Sequence, residues 1–517
     1  MASIDLQNGS ASPVEALERA PLSHDVDVDV CVVGAGLAGL TAAYEIARRG
    51  WSVVVVEANR IAWSASGSNI GIVAPGFSEP VGSIIDRVGM ARARDLWRLS
   101  IDGMEHVRAT AREIAMPIVE KASGKLLVQR INDEDGLKRQ VAMLHLNFGT
   151  DIEAWPTGQV REVLRSPLYF QAAHMRTAFQ IDPLRYAMGL AAVAERAGAR
   201  IFEQTPAIAI DPAGVRKRID TPNGRVRAGH VVLAGGAHIK AVFPAASETI
   251  MRFTSHAALT APLGERLADA IRYFGAVADT RRGGDQYRVV DGDRLLWSSR
   301  LTRSPISQRR LAGLMRRDIR CVYPQLGKVE IERAWSGSLA FAVHKMPQIG
   351  EPSPGVWLAG AFGDHGLNTT AMAGDLIARA IVEDDDRWRL FSDYELVWSG
   401  GRLGQEVVRS IRAIKRMRNA VAEHLSRYRE TRDARAAELA TRLAAIERQQ
   451  KEADAAATMS QPDIGDVVPS VDLNEAVSKQ VGSYSGVASF DVEAPLAAKK
   501  RRGRGKDKTP SAKLPQG

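Results

Sequence analysis

Val28-Asp29-Val30-Cys31-Val32-Val33-Gly34-Ala35-Gly36-Leu37-Ala38-Gly39 runs on through a helical stretch (residues 40–49) and Gly50 to Val53-Val54-Val55-Val56-Glu57. The first segment alternates and then turns apolar, as a strand entering a buried sheet does. The second has helical spacing, and the four valines read as a buried parallel strand. Between strand and helix, Gly34 permits the tight turn, Gly36 lets the backbone approach a pyrophosphate, and Gly39 allows the helix to pack closely on the strand. The helix start would direct free N–H groups and a positive dipole end at phosphates. Glu57 ends the second strand 18 residues beyond Gly39, close to the spacing of about 20 at which a carboxylate accepts ribose hydroxyls. That carboxylate would repel a 2′-phosphate. A lone glycine motif is weak evidence; this strand–turn–helix–strand–carboxylate context is strong, and it predicts an α/β dinucleotide-binding fold.

Outward from this unit, Asp182-Pro183 opens a helix closed by Gly198 and followed by a strand at residues 200–204. A further strand at residues 230–233 ends in Ala234-Gly235-Gly236. Residues 97–115 are helical in pattern and stopped by Pro117. From residue 254 the pattern shifts to strands, with Gln286–Val290 and residues 295–298 as a hairpin around Asp291-Gly292-Asp293. Residues 356–360 form a strand leading into a glycine-rich turn and a helix at 370–381. The α/β pieces are interrupted twice, so the expected architecture is a discontinuous nucleotide domain (28–115, 181–253 and 331–400) interleaved with an antiparallel-sheet substrate domain (116–180 and 254–330). A flexible leader (1–27), a helical extension (401–456) and a disordered basic tail (457–517) complete it.

Composition sets the outer bounds. The 517 residues are 45% hydrophobic and 25% charged, an ordinary globular make-up long enough for two or three domains. Cys31 and Cys321 are far apart and form no CxxC pair, so the sequence suggests neither a disulfide framework nor a cysteine-rich metal site. No apolar run approaches the roughly 18 residues of a membrane span. Asp25, Asp27 and Asp29 make the approach to the first strand acidic, unlike an export or organelle address. A cytoplasmic location follows as the expectation. The net charge of +9 owes much to the cluster Lys499, Lys500, Arg501, Arg502, Arg504, Lys506 and Lys508, read as a solubilising tail, with a weak anionic partner (nucleic acid or acidic lipid) as the alternative. In the extension, Val407, Val408, Ile411, Ile414, Val421, Leu425, Leu439, Leu443 and Ile446 form an apolar stripe. It suits an accessory helix packed on the body, or an oligomer contact through a coiled coil.

Beyond the ribose-binding strand, Ala58, Arg60 and the small-residue passage Trp63-Ser64-Ala65-Ser66-Gly67-Ser68-Asn69-Ile70-Gly71 resemble the D-amino-acid oxidase superfamily of FAD-dependent oxidoreductases. The likeness is to its glycine oxidase-like and gamma-glutamylputrescine oxidase-like bacterial branch, in which such a segment runs beside the flavin. Ser68 stands for a usual basic residue and Ile70 for a glycine. The likeness recurs at Val231–Gly236 by position, at Tyr287-Arg288 through Leu295-Leu296-Trp297, at Trp335-Ser336-Gly337, at Met346-Pro347-Gln348-Ile349-Gly350, and at Leu358-Ala359-Gly360-Ala361-Phe362-Gly363-Asp364-His365-Gly366-Leu367. It covers about residues 28 to 428.

The resemblance implies a Rossmann-like, glutathione-reductase-like FAD domain. Its cofactor contacts would be Gly34, Ala35, Gly36, Leu37, Ala38, Gly39, Glu57, Ala58, Arg60, Ser64, Ser66, Gly67, Asn69, Ile70, Gly71, Ala234, Gly235, Gly360, Gly363, Asp364, His365, Gly366 and Leu367. The turn at residues 363–366 would present N–H groups where negative charge collects on the reduced flavin. The implied reaction removes a hydride from a carbon bearing an amine to flavin N5, leaving an imine that water hydrolyses. Orientation and dry surroundings matter more for this than a strong base. Candidate substrate contacts are His344, His365, Tyr287 and Arg288, the last for a substrate carboxylate; no metal is expected. Cys321 is misplaced for a thioether, so the FAD is expected to be non-covalent. Oxygen or a quinone remains open as electron acceptor. Two other readings also stay open: a hydroxy-acid dehydrogenase passing electrons to a quinone or partner subunit, and a non-enzymatic flavoprotein scaffold acting through its C-terminal helix and tail.

Overall fold

A computed structural model describes residues 18–116, 124–281 and 283–459. Two eight-stranded sheets organise the chain through Ala436. In the first, strands Gln348–Ser353, Val356–Gly360, Gly224–Leu233, Val26–Val33, Val53–Val56 and Arg200–Phe202 lie side by side in that order. Val356–Gly360 through Arg200–Phe202 are mutually parallel. The four valines are buried on both faces, the signature of a strand covered on each side. Helix Leu37–Ala47 leaves the strand Val26–Val33, and helix Gly366–Glu383 follows the parallel strand Val356–Gly360. Both therefore begin at the carboxyl edge of the sheet, where open α/β sheets bind ligands.

The two helices also touch. A Cβ built on Gly374 would lie 2.6 Å from Thr41 Cβ and 2.8 Å from Ala42 N, so the contact requires a residue without a side chain at that position. The Asp182 carboxylate accepts from the N–H groups of Leu184 and Arg185, both at 3.1 Å, and starts helix Pro183–Arg196 as its sequence predicts. In the hairpin between Gln286–Val290 and Arg294–Thr302, Asp291 and Gly292 both have positive φ (53° and 83°), as the tight turn of a twisted hairpin demands.

The second sheet runs Ile331–Ala342, Ile250–Thr260, Arg294–Thr302, Gln286–Val290, Ala276–Asp279, Lys125–Val128, Ala172–Met175, Ile152–Trp155. It reaches further along the chain than the sequence reading placed it. Ile331–Ala342, grouped there with the nucleotide domain, pairs antiparallel with Ile250–Thr260 over nearly its whole length. Apolar burial explains this: Ala334 packs in the sheet's main core, and Phe341 in a small cluster with Met251 and Phe253.

The leader is likewise more integrated than expected from residue 18 onward. Arg19 forms a two-point ion pair with Glu195 (2.6 and 2.7 Å), and Leu22 is buried with its N–H donating to Thr205 Oγ1 at 3.0 Å. Residues 1–17 and the basic cluster at 499–508 lie outside the described residues.

One helix spans Gly401–Met459. Within the first unit, Glu430 pairs with Arg161 at 2.5 Å, and Glu406 pairs with Arg303. Ile411, Ile414, Val421 and Leu425 are exposed. In the second unit, Ala437–Gly517, the described part is helical and Leu439, Leu443 and Ile446 are exposed. No helix among the described residues is long and apolar enough to cross a membrane.

Candidate active site

The glycine turn is built around close approaches that exclude side chains. Gly34 has φ +109°, and a Cβ there would lie 2.9 Å from the Ala234 carbonyl oxygen; one on Gly39 would fall 2.0 Å from the Gly34 carbonyl oxygen. Ala234, whose N–H donates to Val33 O at 2.9 Å, is thereby brought against Gly34, with Gly235 beside it. Helix Leu37–Ala47 starts at Gly36, which gives no side-chain cap, and has no acidic residue in its first turn, so no charge within the helix offsets its positive end. Around it, the Leu37 N–H donates to Ser66 Oγ at 3.0 Å.

Glu57 turns back on the same turn. Its Oε2 accepts from the Ala35 N–H at 2.8 Å and its Oε1 from the Asn59 N–H at 2.9 Å. A carboxylate has about four acceptor positions, so two remain for hydroxyl donors. Burial raises its pKa, and the two backbone N–H groups pull the other way. Ala58 and Arg60 are exposed beyond it.

Residues 63–71 fold as a short helix, Ala65–Ser68, and a bend. Asn69 closes it, donating to Ala65 O (3.1 Å) and Ser66 O (2.8 Å) and accepting from the Gly71 N–H at 2.8 Å. A Cβ on Gly67 would lie 2.6 Å from Ala62 O; Gly71 has φ +77°, and its Cβ would lie 1.9 Å from Ile181 O. Ser64 is half-buried and Ile70 buried. This loop is held from within by the Asn69 side chain and from outside by the Ile181 N–H, which donates to Gly71 O at 2.9 Å.

The terminal glycine turn is a second cradle. Gly360 ends a buried strand. Gly363 has φ +65°, its N–H donates to Ala340 O (2.9 Å), and a Cβ there would strike Ser78 Oγ. The Asp364 N–H donates to that hydroxyl at 2.9 Å. Helix Gly366–Glu383 begins after His365, again with no side-chain cap and no acid in its first turn, and Leu367 is buried. His365 lies beside Gly76, whose Cβ would be 3.8 Å from His365 Cε1. Burial, and after it the ammonium of Lys125, push the His365 pKa down to about 4, so the ring is neutral near pH 7.

The other candidates are placed differently. Tyr287 is 1% exposed, stacked on Trp297 at 4.3 Å, with its hydroxyl 2.5 Å from that of Tyr323 and 3.2 Å from that of Tyr169. It belongs to the core on the far side of the second sheet and has no face turned to a substrate. Arg288, the next residue, points to the opposite side, and two of its five N–H donors are taken by main chain. Nε donates to Ile70 O at 2.7 Å and Nη2 to Ile181 O at 3.0 Å. It is a buried strut for the loop at Gly71, with its pKa pulled down to about 10 by burial. His344 accepts at Nδ1 from the Met346 N–H (3.1 Å) and packs on Tyr394 at 5.2 Å. It lines a cavity of about 290 Å³ with Glu79, Ser83, Asp86, Arg87 and Tyr394, none of which belongs to either glycine turn.

Residues that sequence reasoning passed over complete the region. Ser78 supports the terminal turn as described. Asn368 donates to Gly76 O at 3.0 Å; Trp335, singled out in the sequence only as part of a motif, donates from Nε1 to Ser68 O at 2.9 Å. Lys125 is buried on strand Lys125–Val128 and interacts electrostatically with Asp364 and His365. A lysine inside the otherwise apolar run Lys125-Leu126-Leu127-Val128 was the available signal.

Two helix starts without an acid in the first turn at one sheet edge, a backbone cradle closed to any Cβ, and a carboxylate with spare acceptors suit a dinucleotide whose diphosphate, ribose and ring system need those three features. FAD fits them. The family of FAD-dependent oxidoreductases named DAO matches residues 29–380, and the chain belongs to it: this is an FAD-dependent oxidoreductase. The chain is 29% identical over 399 residues to the probable oxidoreductase OrdL of Haemophilus influenzae, covering 76% of this chain and 91% of that protein. It is 28% identical over 387 residues to the gamma-glutamylputrescine oxidoreductase of Escherichia coli, covering 74% and 90%. Its fold is shared with glycine oxidase from Geobacillus kaustophilus (TM-score 0.58, 20% identity, 70% of this chain and 96% of that one) and with L-proline dehydrogenase from P. horikoshii (TM-score 0.60, 18% identity, 72% and 100%).

Proposed function

We propose that the chain oxidises an amine or amino acid at the carbon bearing the nitrogen, giving an imine that water hydrolyses, with FAD held non-covalently. When bound, FAD supplies the two-electron acceptor for the hydride leaving that carbon. The observation that carries the reading is the lowered basicity at the terminal turn: burial brings the pKa of His365 down to about 4 and lowers that of Lys125, which Asp364 pulls back up. Surroundings that disfavour cations favour the uncharged amine from which a hydride can leave. His365, neutral, can accept or donate a hydrogen bond without competing for the substrate's proton. Similarity along 90% of an enzyme named for gamma-glutamylputrescine supports the substrate class. Aerobic turnover of the purified protein with a panel of amines and amino acids, the carbonyl product trapped with a hydrazine, tests this. A carbonyl product with release of ammonia or an amine is expected; hydroxy-acid turnover with no amine turnover would reject it.

A further inference from the structure

Helix Gln308–Val322 buries Leu311, Met315, Ile319 and Val322 in the main core of the second sheet. Its opposite face carries Gly313, Arg316, Arg317 and Arg320 at helical spacing, and these line a cavity of about 610 Å³. A second wall, from Pro324 to Lys328, brings the Lys328 side chain to the same cavity. That wall is held in place: Arg266 Nη1 donates to Leu326 O (3.0 Å) and Lys328 O (3.2 Å), and Gln325 Nε2 donates to Arg165 O (2.6 Å). None of the lining residues belongs to either glycine turn or to the loop at residues 63–71. No carboxylate lines the cavity. The one acid of the helix, Asp318, is taken by Arg300 at 2.5 Å. Among the described residues, Arg317, Arg320 and Lys328 have no ion-pair partner, and Arg316 reaches only Ala312 O at 3.4 Å.

Like charges three and four residues apart on a helix repel, and a concave site of one sign focuses its field on what enters it. Guanidinium groups suit phosphate oxygens bidentately. A phosphate group carries a charge of about −1.5 to −2 at pH 7, so the four cations match a ligand with two or three of them. The volume lies in the range of about 300–1,000 Å³ typical of small-molecule sites, more than the phosphates alone would fill. Gly313, with nothing within 4 Å of its virtual Cβ, and Pro324 leave room and apolar surface for the group that carries them. A nucleic-acid surface spreads its cations along an extended track; here they converge from two walls on one volume. We propose that this cleft binds an organic polyphosphate of the nucleoside di- or triphosphate class, at a site separate from that of FAD. The site is independent of which substrate the enzyme oxidises.

Cys321 is exposed and lines this cavity, whereas Cys31, the other of the 2 cysteines, is buried, so alkylation by uncharged iodoacetamide reports on the cleft. The test uses the full-length protein with FAD in excess, which keeps nucleotide out of the cofactor site, in about 0.15 M salt to screen diffuse attraction. Labelling rates of Cys321 are compared with and without ATP, adenosine, sulfate and a short DNA duplex. ATP should protect Cys321 saturably, and adenosine, or sulfate at equal ionic strength, should not. Arg317→Gln should raise the ATP concentration for half-protection roughly 10-fold, and Arg317→Gln with Lys328→Gln, one cation from each wall, roughly 100-fold. Arg309→Gln, on the same helix but outside the cavity, should leave it unchanged. No protection by ATP, equal protection by sulfate, or equal protection in wild type and the double variant overturns the proposal. A loss in Arg309→Gln as large as that in Arg317→Gln overturns it too, since only the general charge of the helix would then matter. Tighter protection by the duplex than by ATP would make this face a nucleic-acid surface instead and also overturn it. FAD content and unfolding midpoint verify the fold of each variant; if the double variant fails either, Arg317→Gln with Arg320→Gln replaces it.

Discussion

Arg288 Nε lies 2.7 Å from the carbonyl oxygen of Ile70, and this bond ties a strand of the second sheet to the loop that ends at Gly71. Together with the bond to Ile181 O it satisfies two buried carbonyls with one buried cation. Arg288→Met would leave both carbonyls unpaired, at a cost of about 2–4 kcal/mol. Denaturant unfolding should show that loss, and FAD should dissociate more readily. Arg288→Lys, which can reach one carbonyl at most, should fall between. An unchanged midpoint in Arg288→Met would show that the strut is dispensable.

Gly71 is the partner of that strut. With φ +77° and a virtual Cβ 1.9 Å from Ile181 O, Gly71→Ala combines backbone strain with a clash against main chain. A destabilisation of roughly 3 kcal/mol follows, read as a lower unfolding midpoint. Gly50→Ala, with nothing within 4 Å of its virtual Cβ but φ +85°, should cost only the strain, about 1 kcal/mol.

Glu57 should govern FAD affinity without touching the reacting atoms. If its two spare acceptor positions take the ribose hydroxyls as proposed, removing the carboxylate costs about 2–3 kcal/mol, or roughly 30- to 150-fold in Kd. Fluorescence titration of apo-Glu57→Ala with FAD should show this, with turnover at saturating FAD close to wild type. A variant binding FAD as tightly as wild type would place the ribose elsewhere. Acid precipitation of wild type should release FAD to the supernatant; colour staying with the pellet would show a covalent link.

Tyr287→Phe removes one hydroxyl from the buried trio with Tyr169 and Tyr323. It should cost about 1–2 kcal/mol of stability and leave kcat and KM nearly unchanged. A large KM increase would return Tyr287 to the substrate site.

His256 is buried between Ser336 Oγ and Thr302 Oγ1, both at 2.8 Å, and burial lowers its pKa to about 4. Below its ordinary value of about 6.5 the unfolded chain takes up a proton that the folded chain refuses. Its stability contribution is therefore full above pH 6.5 and lost as the pH falls towards 4, by about 1–3 kcal/mol. His344 and His365, also near 4, add in the same sense. Denaturant midpoints between pH 4 and 7 should decline with acid, less steeply in His256→Gln. Parallel profiles would contradict this assignment.

What could be read from the sequence was what neighbouring residues decide among themselves. The turn at Gly34 to Gly39, the Asp182 cap, and the tight hairpin at Asp291-Gly292 each depend on a few adjacent positions. The partner of Ile331–Ala342 did not, because it pairs with a strand about eighty residues earlier and its alternation alone leaves that choice open. For the same reason Tyr287 and Arg288 could be assigned to opposite faces of a strand without any indication of which face met the cofactor edge. Lys125 becomes conspicuous only once Asp364 and His365, more than two hundred residues later, are brought beside it.

Anaerobic titration of the purified FAD protein with amines and amino acids, followed through the flavin absorbance bands, tests the central claim most directly. The account predicts that at least one amine or amino acid bleaches the oxidised bands in proportion to the flavin present. Bleaching by hydroxy acids with none by any amine, or by neither, would contradict it.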